Sequence, residues 1–107
     1  MATFNKGGQL MDGTEQTIIL QSSQGTYGAK INLTPLASGD TLEIRVYGYD
    51  QQGTTFVQYW IDTFKDSAPT NPWWNLTPIG EYQYKVTLKQ TTGSFKTFNW
   101  ISVAYAG

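Results

Sequence analysis

The chain has 107 residues, a formal net charge of −1 from seven basic and eight acidic side chains, and 39% hydrophobic residues. This length suits one domain with a single hydrophobic core. Neither cysteine nor histidine is present, which excludes disulfides and thiolate metal sites and removes the commonest metal ligand and general base. The few, balanced charges argue against a nucleic-acid partner, because such partners require clustered lysine and arginine.

The first part of the chain is polar and rich in glycine. Its large apolar side chains include Phe4 and Leu10, too few to offset the entropy lost on ordering. We therefore expect a flexible arm over residues 1–13, which orders on a partner through Phe4 and Leu10. The start of the chain lacks the basic and apolar regions of a signal peptide, and no apolar run is long enough to span a membrane. We therefore expect synthesis in a cytoplasm and no membrane partner.

From residue 14 onward, apolar residues alternate with polar ones between turn signals, and no helical period is sustained. This pattern predicts one all-β domain over residues 14–107. The predicted strands are 14–22, 27–34, 41–49, 54–65, 82–90 and 95–105. Residues 66–80 contain three prolines, which cannot donate to a central ladder, so they predict a crossing loop with at most a short strand at 73–76.

The clearest alternation lies in the strand at 41–49. Leu42, Ile44 and Val46 are predicted to point into the core. The short turn at 50–53 ends in glycine, which predicts that 41–49 pairs antiparallel with 54–65. Hairpins separated by a long crossing connection predict an antiparallel Greek-key β-sandwich of about seven to eight strands, and the jelly-roll arrangement is favoured over an immunoglobulin-like one.

Two predicted strands are apolar on both faces, at 54–65 and at the end of the chain. A two-layer sandwich buries only one face of each sheet, so the surplus apolar surface predicts contact between subunits. Aromatic residues are enriched in such contacts and charged residues are depleted. The predicted oligomer interface consists of Phe56, Tyr59, Trp60, Ile101 and Tyr105.

The sequence contains no arrangement specific to catalysis, so we expect no enzymatic activity, no catalytic residue, no metal and no cofactor. Asp62 shares a face with Trp60 and is predicted to be a strand-end carboxylate hydrogen-bonded to a turn. Flat aromatic rings can stack on sugars, and the alternative function is therefore a glycan platform. The candidate platform residues are Tyr47, Tyr49, Trp73 and Trp74. The favoured interpretation is that both adjacent tryptophans are largely buried, against the sandwich or a neighbouring subunit, and pin the crossing loop.

Two segments, Met11–Thr17 (MDGTEQT) and Leu88–Trp100 (LKQTTGSFKTFNW), resemble those of small virion proteins of tailed phages. The resemblance is to capsid decoration, or cement, proteins. It implies a β-sandwich located in the virion, a homo-oligomer, preferably a trimer, and a major capsid protein as partner. Two alternatives stay open: a carbohydrate-binding module on a virion or secreted assembly, and a structural subunit of a tail or baseplate.

Overall fold

A computed structural model describes residues 2–21, 25–49, 56–81 and 84–105, and it confirms the predicted all-β class. No helix that could cross a membrane occurs within these ranges. The strands are β1 (Ala2–Leu10), β2 (Gln16–Gln21), β3 (Gly25–Asn32), β4 (Thr41–Tyr49), β5 (Phe56–Lys65), β6 (Trp73–Glu81), β7 (Tyr84–Thr92) and β8 (Thr97–Tyr105).

The strands form two antiparallel four-stranded sheets with the orders β1-β8-β3-β6 and β2-β7-β4-β5. The strand pairs β1/β8, β2/β7, β3/β6 and β4/β5 are nested in the manner of one long hairpin, with the β4/β5 pair innermost in the sequence. The hairpin is rolled so that β8 also pairs with β3, and β7 with β4. This is the strand order of a jelly roll. The predicted pairing of the fourth strand with the fifth is confirmed.

The core lies between the two sheets and follows the predicted alternation. Leu42, Ile44 and Val46 are fully buried, because every second side chain of a strand points to the same face. The remaining buried apolar side chains are Met11, Ile18, Ile19, Ala29, Ile31, Leu33, Leu36, Trp74, Leu76, Tyr84, Val86, Leu88 and Phe98. Apolar burial of this extent is the main contribution to the stability of the fold.

The structure places residues 2–10 of the expected arm in the sheet, and Met1 lies outside the described residues. Ala2–Leu10 form β1, which pairs with β8 from Ala2 opposite Tyr105 to Leu10 opposite Thr97. The segment has no clear alternation because the core-facing position opposite Trp100 is Gly7. The Trp100 indole packs against the core and covers Gly7, so β8 supplies the apolar surface that β1 lacks.

Two further strands differ from their sequence patterns. In β2 the register shifts between Thr17 and Ile19, so Ile18 and Ile19 are both buried and Leu20 is exposed. Strict alternation predicted Ile18 and Leu20 on one face. β6 is a full strand through Pro78 because it is an edge strand, where proline is tolerated.

The connections at one end of the sandwich are fastened to each other by hydrogen bonds. The Asp66 amide donates to the Asp40 carbonyl oxygen (2.9 Å) and the Gly39 amide to the Asp66 carboxylate (3.1 Å). The Thr92 hydroxyl donates to the Gly39 carbonyl oxygen (2.8 Å). Gly93 has φ of +89° and lies directly against Asp40. This end is therefore a closely packed base for the strands.

Candidate binding groove and surrounding surfaces

The outward face of the β1-β8-β3-β6 sheet is set by the register of its strands. Ser102 on β8 is buried, so its neighbour Ile101 points outward. Ile101 lies opposite Lys6 on β1 and opposite Lys30 on β3. A row of two cations around an exposed isoleucine therefore crosses the sheet.

A groove with a volume of about 480 Å³ lies next to this row and crosses all four strands. Its lining includes Lys6 from β1, Asn99 and Ile101 from β8, Asn32 from β3 and Trp73 from β6. The volume falls within the range of roughly 300–1,000 Å³ that is usual for small-molecule sites. A smaller pocket of about 370 Å³ adjoins it through Lys6 and Ile101 and extends to Phe4.

The groove combines an aromatic surface with polar groups. Trp73 pairs with Asn32, one position from the buried Trp74, so its indole points outward and is 38% exposed. The Asn32 side-chain oxygen accepts hydrogen bonds from the Thr34 amide (3.0 Å) and hydroxyl (2.6 Å). These bonds hold the amide in place and leave its NH₂ group available as a donor. Lys6 forms none of the ion pairs found in the described part of the chain.

The outward face of the other sheet carries a polar network centred on Glu15, which precedes β2. Its carboxylate accepts hydrogen bonds from the Arg45 guanidinium (2.9 Å), the Tyr47 hydroxyl and the Thr87 hydroxyl (2.7 Å). Arg45 also donates to Glu43 (2.9 Å). These polar side chains of the outward face therefore hydrogen-bond to each other, and the network covers the Thr87 side chain.

Within the network, the shifted pKa values of Glu15 and Tyr47 indicate which of these two groups is charged. Partial burial raises the pKa of Glu15, but the hydrogen bonds from Tyr47, Thr87 and Arg45 outweigh it and lower the pKa below the ordinary 4.5. Burial, followed by the hydrogen bond to Glu15, raises the pKa of the Tyr47 hydroxyl. Both shifts favour a charged Glu15 and a neutral Tyr47, which is the arrangement of a structural contact.

Asp62 on the edge strand β5 joins the two sheets. One of its carboxylate oxygens accepts hydrogen bonds from the Trp60 indole (2.9 Å) and the Trp74 indole (2.7 Å). Trp74 belongs to β6, the edge strand of the opposite sheet. Asp62 is thus hydrogen-bonded, but its partners are two indoles and not a turn as predicted, and it closes the β5/β6 edge of the sandwich.

The structure does not assemble the predicted glycan platform. Tyr47 lies on the outward face of one sheet and Trp73 on that of the other, while Trp74 is 6% exposed. The Tyr49 side chain lies outside the described residues. Trp74 is buried against the sandwich as expected, whereas Trp73 is not buried within the single chain, because neighbouring residues of a strand point to opposite faces. Burial of Trp73 against a neighbouring subunit stays a prediction.

The other predicted residues are separated in space. Trp60 is 48% exposed on β5, whereas Ile101 lies in the other sheet, so the two do not form one surface. The side chains of Phe56, Tyr59 and Tyr105 lie outside the described residues.

Phe4 and Leu10, the predicted contact residues of the arm, are 69% and 59% exposed. They share the outward face of β1, about 20 Å apart along the strand. Leu10 lies at the end of the sandwich where the connections meet, together with the exposed Phe95 of the β7–β8 connection. Phe4 lies instead beside the groove. The structure therefore divides the two contact residues between different surfaces.

Sequence reasoning missed Lys6, Asn32 and Asn99 as site residues. Each is a polar residue on the outward face of its strand, and only the pairing of β1, β8, β3 and β6 brings them together. No sequence signal identifies them before that pairing is known. Within the described ranges, no group of three or more acidic side chains is arranged to hold a metal ion. No protein-family model matches the chain, and no curated protein matches it.

Proposed function

We propose that the chain is a non-enzymatic virion protein that self-associates and decorates a phage capsid at subunit junctions. The observation that supports self-association best is the exposure of two consecutive large apolar residues, Trp60 and Ile61, on the edge strand β5. An edge strand presents unpaired backbone groups, and exposed apolar side chains on it favour pairing with another chain.

A head-to-tail contact along the β2-β7-β4-β5 sheet would bury this surface. β2 and β5 are its two opposite edges, and each carries an exposed apolar residue, Leu20 on β2 and Ile61 on β5. Contact between unlike edges closes into a ring when the rotation allows it. The trimer implied by the resemblance is one such ring.

The proposed capsid contact is the end of the sandwich that carries Leu10 and Phe95. Both side chains are exposed, and the hydrogen-bonded connections beside them form a rigid base. A protein that bridges neighbouring capsid subunits adds buried area across their joints, and a ring presents several copies of the contact at once. The mechanism is therefore geometric, with the major capsid protein as partner.

Light scattering coupled to size exclusion tests the self-association. We expect three times the 12.0 kDa mass of the chain for the parent and a monomer for Ile61→Lys. Thr63→Lys, at the next outward and exposed position of β5, is the matched control and should remain trimeric. A parent that stays monomeric at all concentrations would refute the proposal.

Sedimentation with capsids purified without the chain tests the decoration. Parent protein should co-sediment, and Leu10→Lys should not, while Leu10→Lys keeps the mass of the oligomer. Location of the chain in tails or baseplates of purified virions would favour the structural alternative of the same class. The carbohydrate-binding alternative is supported by the exposed Trp73.

A further inference from the structure

We propose that the groove across the β1-β8-β3-β6 sheet binds an acidic saccharide. This inference goes beyond capsid decoration and does not depend on it, because the groove lies on a different surface from the β5 edge and from Leu10. Residues from all four strands line it, so the site is built on strands and not on loops.

The aromatic part of the groove suits a sugar ring. Trp73 has an outward-pointing, exposed indole on the edge strand β6. A flat aromatic ring contacts the apolar C–H face of a sugar, and tryptophan offers the largest such area with few rotatable bonds. Ile101 continues this apolar surface across β8.

The polar part of the groove suits hydroxyl groups and a negative charge. Asn32 and Asn99 provide amide groups, and the Asn32 amide is fixed by its bonds to Thr34. Lys6 is the one charged residue in the described lining, which includes no carboxylate. A carboxylate on the ligand would therefore meet a cation and no opposing charge.

The opposite face of the sandwich provides a contrast. There Glu15 and Glu43 form ion pairs of 2.9 Å with Arg45, so a negatively charged ligand on that face would meet carboxylates. The free cation and the exposed indole occur together only in the groove, among the residues that the structure describes.

The test follows the four tryptophan indole N–H signals in proton–nitrogen correlation spectra of the intact chain. Trigalacturonate is titrated to about 20 mM, well above the millimolar affinity of a weak site, and maltotriose serves as the neutral probe. We expect a saturable shift of the Trp73 indole signal, with higher affinity for trigalacturonate than for maltotriose.

Four variants separate the contributions. Trp73→Ala and Trp73→Phe lack the Trp73 indole signal, so their binding is followed through the backbone amide signals of the groove residues in the same spectra. Trp73→Ala should weaken binding about tenfold or more, and Trp73→Phe should recover part of it. Lys6→Met should weaken trigalacturonate binding about two- to fivefold, as expected for an exposed ion pair. Lys30→Met is the matched control, since Lys30 lies in the same row outside the groove, and should bind like the parent.

Spectral dispersion shows that each variant is folded before it is compared. The proposal is overturned if no saturable shift occurs, if folded Trp73→Ala binds like the parent, or if maltotriose binds as tightly as trigalacturonate. Equal losses in Lys6→Met and Lys30→Met would also overturn it, because the effect would then be general charge and not the groove.

Discussion

The substitution Gly7→Ala distinguishes an integral strand from a flexible arm. A Cβ atom added at Gly7 would lie 2.7 Å and 2.9 Å from two ring carbons of Trp100, below the 3.0 Å that real Cβ atoms respect. The indole packs against the core, so it cannot move away without disturbing buried neighbours. If residues 2–10 were an arm, this contact would not exist.

The magnitude follows from two opposing effects. Forcing an extra carbon into a packed site costs roughly 1–3 kcal/mol. Replacing glycine by alanine also lowers the conformational entropy of the unfolded chain, which stabilises the folded state by about 0.4–1 kcal/mol. We therefore expect Gly7→Ala to lower the free energy of unfolding by about 1–2 kcal/mol.

Gly8→Ala is the matched control on the same strand. A Cβ at Gly8 would lie 2.6 Å from the side-chain oxygen of Asn99. Asn99 is exposed, so its amide can rotate away, and the change in stability should stay within about 0.5 kcal/mol. The two variants make the same substitution at neighbouring positions of β1. They differ in the group that the added carbon contacts, which is the packed Trp100 ring at Gly7 and the exposed Asn99 amide at Gly8.

Urea unfolding followed by tryptophan fluorescence measures both variants at one protein concentration, because self-association would otherwise shift the midpoint. The midpoint should fall for Gly7→Ala alone, with an unchanged slope. If both variants matched the parent, β1 would not lie on the sheet. If both lost the same stability, contact with Trp100 would not be the cause.

Three further outcomes are expected. In urea unfolding, Gly93→Ala should lower the free energy of unfolding by at least about 2 kcal/mol more than Gly39→Ala. Both glycines have φ near +90°, but only a Cβ at Gly93 would meet backbone, 2.9 Å from the Gly39 carbonyl oxygen. Equal losses would contradict this. Asp62→Ala should lose about 1–3 kcal/mol, since it leaves the buried Trp74 indole without its acceptor, and Asp62→Asn should lose less. Because its pKa is lowered in the folded state, Glu15 stabilises the fold at pH values above its ordinary pKa of 4.5, and this contribution is lost as the pH falls through the lowered folded pKa. Glu15→Gln should therefore make the free energy of unfolding depend less on pH in the acid range. An unchanged pH dependence would contradict the assignment.

The core of the sandwich could be predicted because its signal is local. Leu42, Ile44 and Val46 alternate with polar or half-buried residues in a regular strand, so their burial follows from the period of two alone. The same rule failed in β2, where a shift of register after Thr17 turns both Ile18 and Ile19 inward. A bulge adds one residue without leaving a mark in the hydrophobic pattern.

The candidate site could not be predicted because its signal is not local. Lys6 and Trp73 lie on the two outer strands of one sheet, and they share a groove only because β8 and β3 lie between them. The sequence singled out Trp73 for its aromatic ring but grouped it with Tyr47, which lies on the opposite side of the molecule. The aromatic ring makes Trp73 a candidate for stacking on a ligand, but only the strand order shows which side chains lie beside it.

The glycines that suggested an arm are also what permits the groove. Gly7 leaves room for the Trp100 indole, and Gly8 leaves room for the amide of Asn99, which lines the site. A Cβ atom at Gly7 would clash with the Trp100 ring, and a Cβ atom at Gly8 would displace the Asn99 amide from its place in the groove. The low apolar content of β1 therefore does not indicate disorder. Its glycines are required because side chains of β8 occupy the space beside them. Placing β1 on the sheet supplies Lys6, the cation of the proposed saccharide site, so the correction to the fold and the proposal for the groove depend on the same strand.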